Sequence, residues 1–208
     1  MIIAIDGPAA SGKGTLAKRI AKHFGLPHLD TGLLYRAVGQ QMLDRGHTLD
    51  DTDSAAEVAG QLSLSWLVDE RLRSGEAGKA ASTIAAIPAV RGALRQFQMD
   101  FAHQRGGAVL DGRDIGTVIA PDADLKIWVT ASAEVRARRR FLELSRNDEQ
   151  VSEAQLLNDL LMRDARDAPN MIRADDAVLL DTSALDRDAV LAAGIALVQQ
   201  RSAGHSPD

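Results

Sequence analysis

The 208-residue chain is 45% hydrophobic, 25% charged and 3% aromatic. That mix builds an aliphatic core and excludes a disordered tail protein. The formal net charge of −5 argues against a sequence-independent nucleic-acid binder, and the lack of cysteine excludes disulfides, thiolate metal sites and cysteine nucleophiles.

The opening apolar run is too short for a secretory signal and no basic residue precedes it. No stretch approaches the roughly 18 apolar residues of a membrane span. These features predict a soluble, cytoplasmic protein with no membrane and no nucleic-acid partner. Nineteen of the 24 basic residues are Arg, whose planar fork suits phosphate and carboxylate. Base composition of the genome explains such an excess equally well.

Residues 2–5 read as a buried strand, and 13–24 as a helix stopped by Gly25 and Pro27. A short strand over 28–30 precedes helices over 33–44 and 52–62. Residues 63–78 carry Gly75, Gly78 and mixed charge, and read as irregular. Helices follow over 79–86 and 89–104, the second with Pro88 at its first turn. Residues 108–110 and 125–129 are strands. Ser132 caps a helix to about 145, and Ser152 with Gln155 forms a capping box for a helix to about 167. A strand over 177–180 and a helix over 189–199 lead to a polar, fraying tail from 202. Strands alternating with helices predict an α/β fold with a parallel sheet. Ligands of such sheets bind beyond the carboxyl ends of the strands. Asp30, Asp111 and Asp114 all fall at or just past predicted strand ends.

Gly7-Pro8-Ala9-Ala10-Ser11-Gly12-Lys13-Gly14-Thr15 follows the first strand and opens the first helix, the setting a phosphate-binding P-loop requires. Its glycines let backbone N–H groups turn around phosphate oxygens, the helix N-terminus adds unsatisfied donors, and Lys13 can reach the β- and γ-phosphates. The usual pattern sets Ser or Thr directly after the Lys. Here Gly14 intervenes and Thr15 carries the hydroxyl, so Mg²⁺ is expected mainly on phosphate oxygens and water, with Thr15 as the candidate protein ligand. No Asn-Lys-x-Asp guanine signature is present, and Lys-Gly-Thr points toward the nucleoside monophosphate kinases.

Further motifs follow in order: Asp30-Thr31-Gly32 with Tyr35-Arg36, Ala81-Ser82 with Pro88-x-Val90-Arg91, Asp111-Gly-Arg113-Asp114-Ile-Gly-Thr117, Arg136 with Arg139 and Arg140, Arg163-Asp164-x-x-Asp167, and Leu180-Asp181-Thr182. Over nearly its whole length the chain resembles the bacterial cytidylate kinases. The resemblance implies a P-loop NTPase fold: a five-stranded parallel sheet flanked by helices in one domain spanning 1–208. A shortened acceptor arm would cover about 60–86 and a short lid about 146–172. It implies ATP-dependent phosphorylation of CMP and dCMP, giving ADP and CDP or dCDP, with Mg²⁺ as cofactor and a monomer as the working form.

The site roles come from the same resemblance. Lys13, Arg113 and Arg163 would be catalytic. The loop from Gly7 to Thr15 would hold ATP. Arg136, Arg139 and Arg140, three and four apart on one helix face, would add charge to its phosphates or stack on adenine. Arg138 faces elsewhere, toward solvent. Asp30, Thr31, Arg36, Ser82, Arg91, Asp111, Arg113, Asp114, Arg163 and Asp167 would bind CMP. Asp114 would accept from the exocyclic amine of cytosine, while uracil would set a carbonyl against it. Ser82 and Arg91 would serve the acceptors of the base, and Arg36 and Arg113 would clamp the phosphate. Asp111 would orient Mg²⁺-bound water or hold Arg113. Two stretches depart from the family pattern. Residues 63–72 are too short for a full β-hairpin. Asp167 is followed directly by Ala168-Pro169-Asn170, with Met171 at the spacing of a lid Arg and Arg173 as its spatial substitute. The alternatives are a P-loop kinase for another nucleotide or small molecule, and a nucleotide-dependent switch or ATPase acting through partners.

Overall fold

The computed structural model of the chain describes residues 1–145 and 152–203. The start of the expected lid, 146–151, and the end of the tail, 204–208, lie outside the described residues.

Five strands form one sheet: β1 (Ile2–Asp6), β2 (His28–Asp30), β3 (Ala108–Gly112), β4 (Leu125–Thr130) and β5 (Val178–Asp181), in the order β2-β3-β1-β4-β5. β1 pairs in parallel with β3 on one side and β4 on the other, and β4 with β5. A strand covered on both faces reads as a continuous apolar run, which is why the inner strands were legible. The register sets Ile5 beside Asp111, and Asp6 beside both Gly112 and Trp128. The carboxyl ends of β1 and β3 therefore carry Asp6 and Asp111 one residue out of register, on opposite faces of the sheet.

The chain divides into two compact units, Met1–Leu29 with Ala102–Asp208, and Asp30–Phe101. In the first, Ile3, Ile5, Ile127 and Val129 of the sheet pack with Leu16 and Ile20 of α1 (Lys13–Phe24) and with Val190 and Val198 of α8 (Arg187–Ala203). Gly194 permits that approach: a Cβ there would lie 2.8 Å from Leu16 Cδ1 and 2.9 Å from Ile20 Cδ1. The same unit carries α6 (Ala133–Leu144) and α7 (Glu153–Asp167).

The second unit is helical: α2 (Thr31–Asp44), α3 (Thr52–Gly60), α4 (Gly75–Ile84) and α5 (Pro88–Ala102). Among the described residues no strand lies between β2 and β3. The stretch read as irregular holds two 3₁₀ turns, Leu64–Val68 and Glu70–Arg73, capped by Ser63 and Asp69. α4 starts four residues earlier than its pattern indicated, because Ser74 Oγ accepts from Ala77 N. Gly39 of α2 faces Ala80 of α4, where a Cβ would come within 3.1 Å of Ala80 Cβ. The capping box at Ser152 does not form, since its side chain makes no cap bond. Among the described residues no helix is long and apolar enough to cross a membrane.

Candidate active site

β1 runs into α1 through the loop Gly7–Gly12. Gly7 has φ +148°, and a Cβ there would overlap Val129 O at 2.0 Å, so no side chain fits. Ala10, at φ 59°, is the one positive-φ non-glycine residue among the described residues. Such strain persists where the surroundings over-determine it. Here they do, by holding the loop's carbonyls. Arg136 donates to Ala9 O at 3.1 Å, while Ser11 O accepts from Thr182 Oγ1 at 3.1 Å and Arg139 at 3.5 Å. The N-cap of α1 is Gly12, in the left-handed region; it supplies no side-chain cap, and no acid lies in the first turn. α1 thus begins with no side-chain cap from its N-cap residue and no acid of its own in the first turn, an anion-binding arrangement. Ser11 is wholly buried with its Oγ unpartnered.

Around this cradle stand three carboxylates. Asp111 is 2% exposed; its Oδ1 meets His28 Nε2 at 2.8 Å, and its Oδ2 would lie 3.4 Å from a Cβ at Gly14. Asp6 accepts from the amides of Ile115 and Gly116. Burial pushes its carboxyl up from 3.8 to about 6; the two amides pull it down, the Asp114 charge adds to the rise, and Lys13 opposes it. Asp114 is 8% exposed and opens a π turn, Ile115–Ile119, without capping it by its side chain.

α7 gathers the arginines of the same unit. Asp167 takes Arg113 Nε at 3.0 Å and Arg163 Nε at 3.7 Å, so two candidate catalytic arginines share one carboxylate. Arg113 also donates to Gly112 O. One turn earlier, Asp164 receives both terminal nitrogens of Arg136, which is 4% exposed. Arg136 is thereby committed to the loop and α7. Arg139 is held by Thr182 and Leu185 O, its guanidinium pulled below its ordinary value by burial and by Arg187. Arg140 pairs with Glu143, and Arg138 is exposed as its helix position predicted.

In the helical unit, Asp30 caps α2 by accepting from Gly32 N at 2.9 Å, and Thr31 is buried beside it. Arg36 donates to Leu72 O at 2.6 Å and to Ser74 O at 3.4 Å. Ser82, 5% exposed on α4, has an unpartnered Oγ. Arg91 lies on α5.

A family model described as cytidylate kinase matches residues 3–200. The chain belongs to the cytidylate kinase family. It is 57% identical over 203 residues to a cytidylate kinase of Methylocella silvestris, covering 96% of this chain and 94% of that one. With a cytidylate kinase of Xanthobacter autotrophicus it shares 56% over 208 residues, covering 98% and 100%. Among solved structures, an uncharacterized protein from Eubacterium ventriosum is 15% identical, with a TM-score of 0.52 over 97% of this chain and 98% of that one, a likeness of fold alone.

Two contributors to this cytidylate kinase site escaped the sequence reading. His28 looked like one residue of a short strand, and its partner lies 83 positions away. Asp6 falls just past the strand read over 2–5 and just before the Gly-rich loop; the structure makes it the last residue of β1. For a divalent metal the donor set is sparse: no cluster of three or more His, Asp or Glu that could hold an ion occurs among the described residues. Mg²⁺ needs few protein ligands where nucleotide phosphates and water complete its shell, and a carboxylate such as Asp111, set against the start of α1, fits that pattern.

Proposed function

We propose that the chain transfers the γ-phosphoryl group of ATP to CMP and dCMP, giving ADP and CDP or dCDP, as a cytoplasmic monomer. The observation that carries this reading is the uncapped, carbonyl-tethered loop opening α1, with Asp114, Arg113, Arg163 and Asp167 in the same unit. The acceptor phosphate is largely ionised near neutral pH, so no strong general base is required. Catalysis rests on alignment and charge stabilisation.

In this reading the amides of Gly7 to Thr15 and the Lys13 ammonium hold the ATP phosphates. Arg113 and Arg163 exchange the Asp167 carboxylate, which each meets through Nε, for phosphoryl oxygens, which can take a guanidinium bidentately. Arg139 and Arg140 flank the donor, and Arg136 serves by fixing Ala9. Arg36 binds the acceptor phosphate, Asp30 and Thr31 fix the start of the helix that carries it, and Ser82, Arg91 and Asp114 read cytosine. Asp111, which meets His28, would orient water on a Mg²⁺ ion bound with ATP, Thr15 would be its candidate direct ligand, and the ion would supply neutralisation of phosphate charge. The lid comprises about 146–172 and the acceptor arm about 60–86 within a P-loop domain spanning 1–208.

A coupled assay of ADP release with CMP, dCMP, UMP and AMP tests this. CMP and dCMP should be strongly preferred. Equal rates with UMP and AMP would mean another small-molecule kinase, and ADP release that ignores CMP would mean a switch or ATPase.

A further inference from the structure

The turn after Asp114 is capped from a distance. Asp114 occupies the N-cap of the Ile115–Ile119 turn. An Asp in that place ordinarily folds its carboxylate onto amides two or three residues ahead. Here its side chain makes no cap bond, and only its carbonyl engages the turn, accepting from Val118 N at 2.8 Å. The capping falls to Asp6, 109 positions before Ile115: Oδ1 accepts Ile115 N at 2.9 Å and Oδ2 accepts Gly116 N at 2.8 Å. Gly116 makes this possible, since a Cβ there would lie 3.4 Å from Asp6 Oδ2 and 3.1 Å from Lys126 Cδ.

This arrangement is costly. Asp6 is 6% exposed, and burial raises its carboxyl to about 6. Desolvating a carboxylate for a turn that the adjacent Asp could cap is unfavourable taken alone. What it secures is the Asp114 carboxylate: of the two amides an N-cap Asp ordinarily takes, Gly116 N is occupied by Asp6, and the two carboxylates repel each other.

We infer that Asp6 is a positioning residue for acceptor-base selection: by taking the amides of Ile115 and Gly116 it keeps the Asp114 carboxylate directed at the base of the acceptor nucleotide. The inference rests on Asp114 as the reader of cytosine. Asp6 itself touches no substrate.

The test is steady-state kinetics of the full-length enzyme as wild type, Asp6→Asn, Asp114→Ala and the double variant, with KM measured for CMP, UMP and ATP. In Asp6→Asn the new amide group opposes one N–H, and Asp114 turns in to replace the lost acceptor. The KM for CMP should rise about tenfold, the scale of one charge-assisted hydrogen bond, with UMP nearly unchanged. The KM for ATP should not rise, because the substitution removes a negative charge facing Lys13. In the Asp114→Ala background, Asp6→Asn should change neither CMP nor UMP. Equal losses for CMP and ATP, or losses that multiply in the double variant, would overturn the inference. An unchanged CMP-to-UMP preference in Asp114→Ala would instead remove the reading beneath it. Should Asp6→Asn not fold, Asp6→Glu, which keeps the charge one methylene out of place, gives the same comparison. Failure of both to fold makes Asp6 a folding requirement and also overturns the inference.

Discussion

Two serines carry buried hydroxyls with no partner, Ser11 in the phosphate loop and Ser82 on α4. An unsatisfied buried hydroxyl costs about 1–3 kcal/mol, so each is a liability the fold tolerates for another reason. Taking Ser82 as a contact of the cytosine base supplies that reason, and gives a prediction in which stability and function move oppositely. Ser82→Ala should raise unfolding stability by about 1 kcal/mol, read from the urea midpoint, because it deletes the unpaired group. The same change should raise the KM for CMP several-fold and leave ATP untouched. A structural hydroxyl would give the reverse, with stability falling and KM constant. Nothing in the local sequence marks Ser82: on helical periodicity alone it reads as a surface hydroxyl, and only the resemblance singled it out. Its burial is a tertiary property that no local pattern contains.

Among elements, one side chain reaches the phosphate loop, α6 and α7 together, beside the apolar contact of Ala9, Ala137 and Leu160. Arg136 sits on α6, takes Ala9 O of the loop and grips Asp164 of α7 with both terminal nitrogens. Removing one member of a fully buried ion pair costs about 3–5 kcal/mol, and Asp164, with 23% of its side chain exposed, recovers part of that from water. Arg136→Ala should therefore destabilise the enzyme by about 2–3 kcal/mol and raise the KM for ATP as the loop loosens. Arg136→Ala/Asp164→Ala should recover part of the stability, because no orphaned carboxylate remains, but not the KM for ATP. Urea unfolding and ATP kinetics on both variants check this; additive stability losses would refute the pairing. The sequence showed that Arg136, Arg139 and Arg140 share a face, since helical spacing is local. It did not show that Arg136 points into the structure, because its partners lie 127 and 28 positions away. The same limit explains the other misses. The inner strands and α1 were legible from apolar runs and flanking glycines. The start of α4 was not, because Gly75 and Gly78 mimic a loop while the Ser74 cap holds the helix. Ser152 and Gln155 have the spacing of a capping box, but spacing does not compel the bond.

For the whole molecule, the balance of acids and bases sets how stability responds to pH. Asp44, Asp69, Asp122, Asp176 and Asp181 lie below their ordinary value because side chains donate to them: Arg71 to the first two, His103, Lys126 and Ser183 to the others. A lowered carboxyl adds stability that is present above about pH 4 and is lost as pH falls through its folded value. These groups are exposed, so each adds little. Asp6 has the opposite sign: its folded value is about 6, against an ordinary 3.8. Its contribution is present below the ordinary value and is lost as pH rises through about 6. A shift of about two units corresponds to about 3 kcal/mol. Stability followed by urea midpoint should therefore fall from about pH 4 to about pH 6.5 by an amount of that order, and should also fall on the acid side of pH 4. In Asp6→Asn the decline from pH 4 to 6.5 should vanish while the acid limb stays. If both proteins trace the same curve, Asp6 does not hold a buried proton, and the desolvation cost assigned to its reach across to the Asp114 turn is absent.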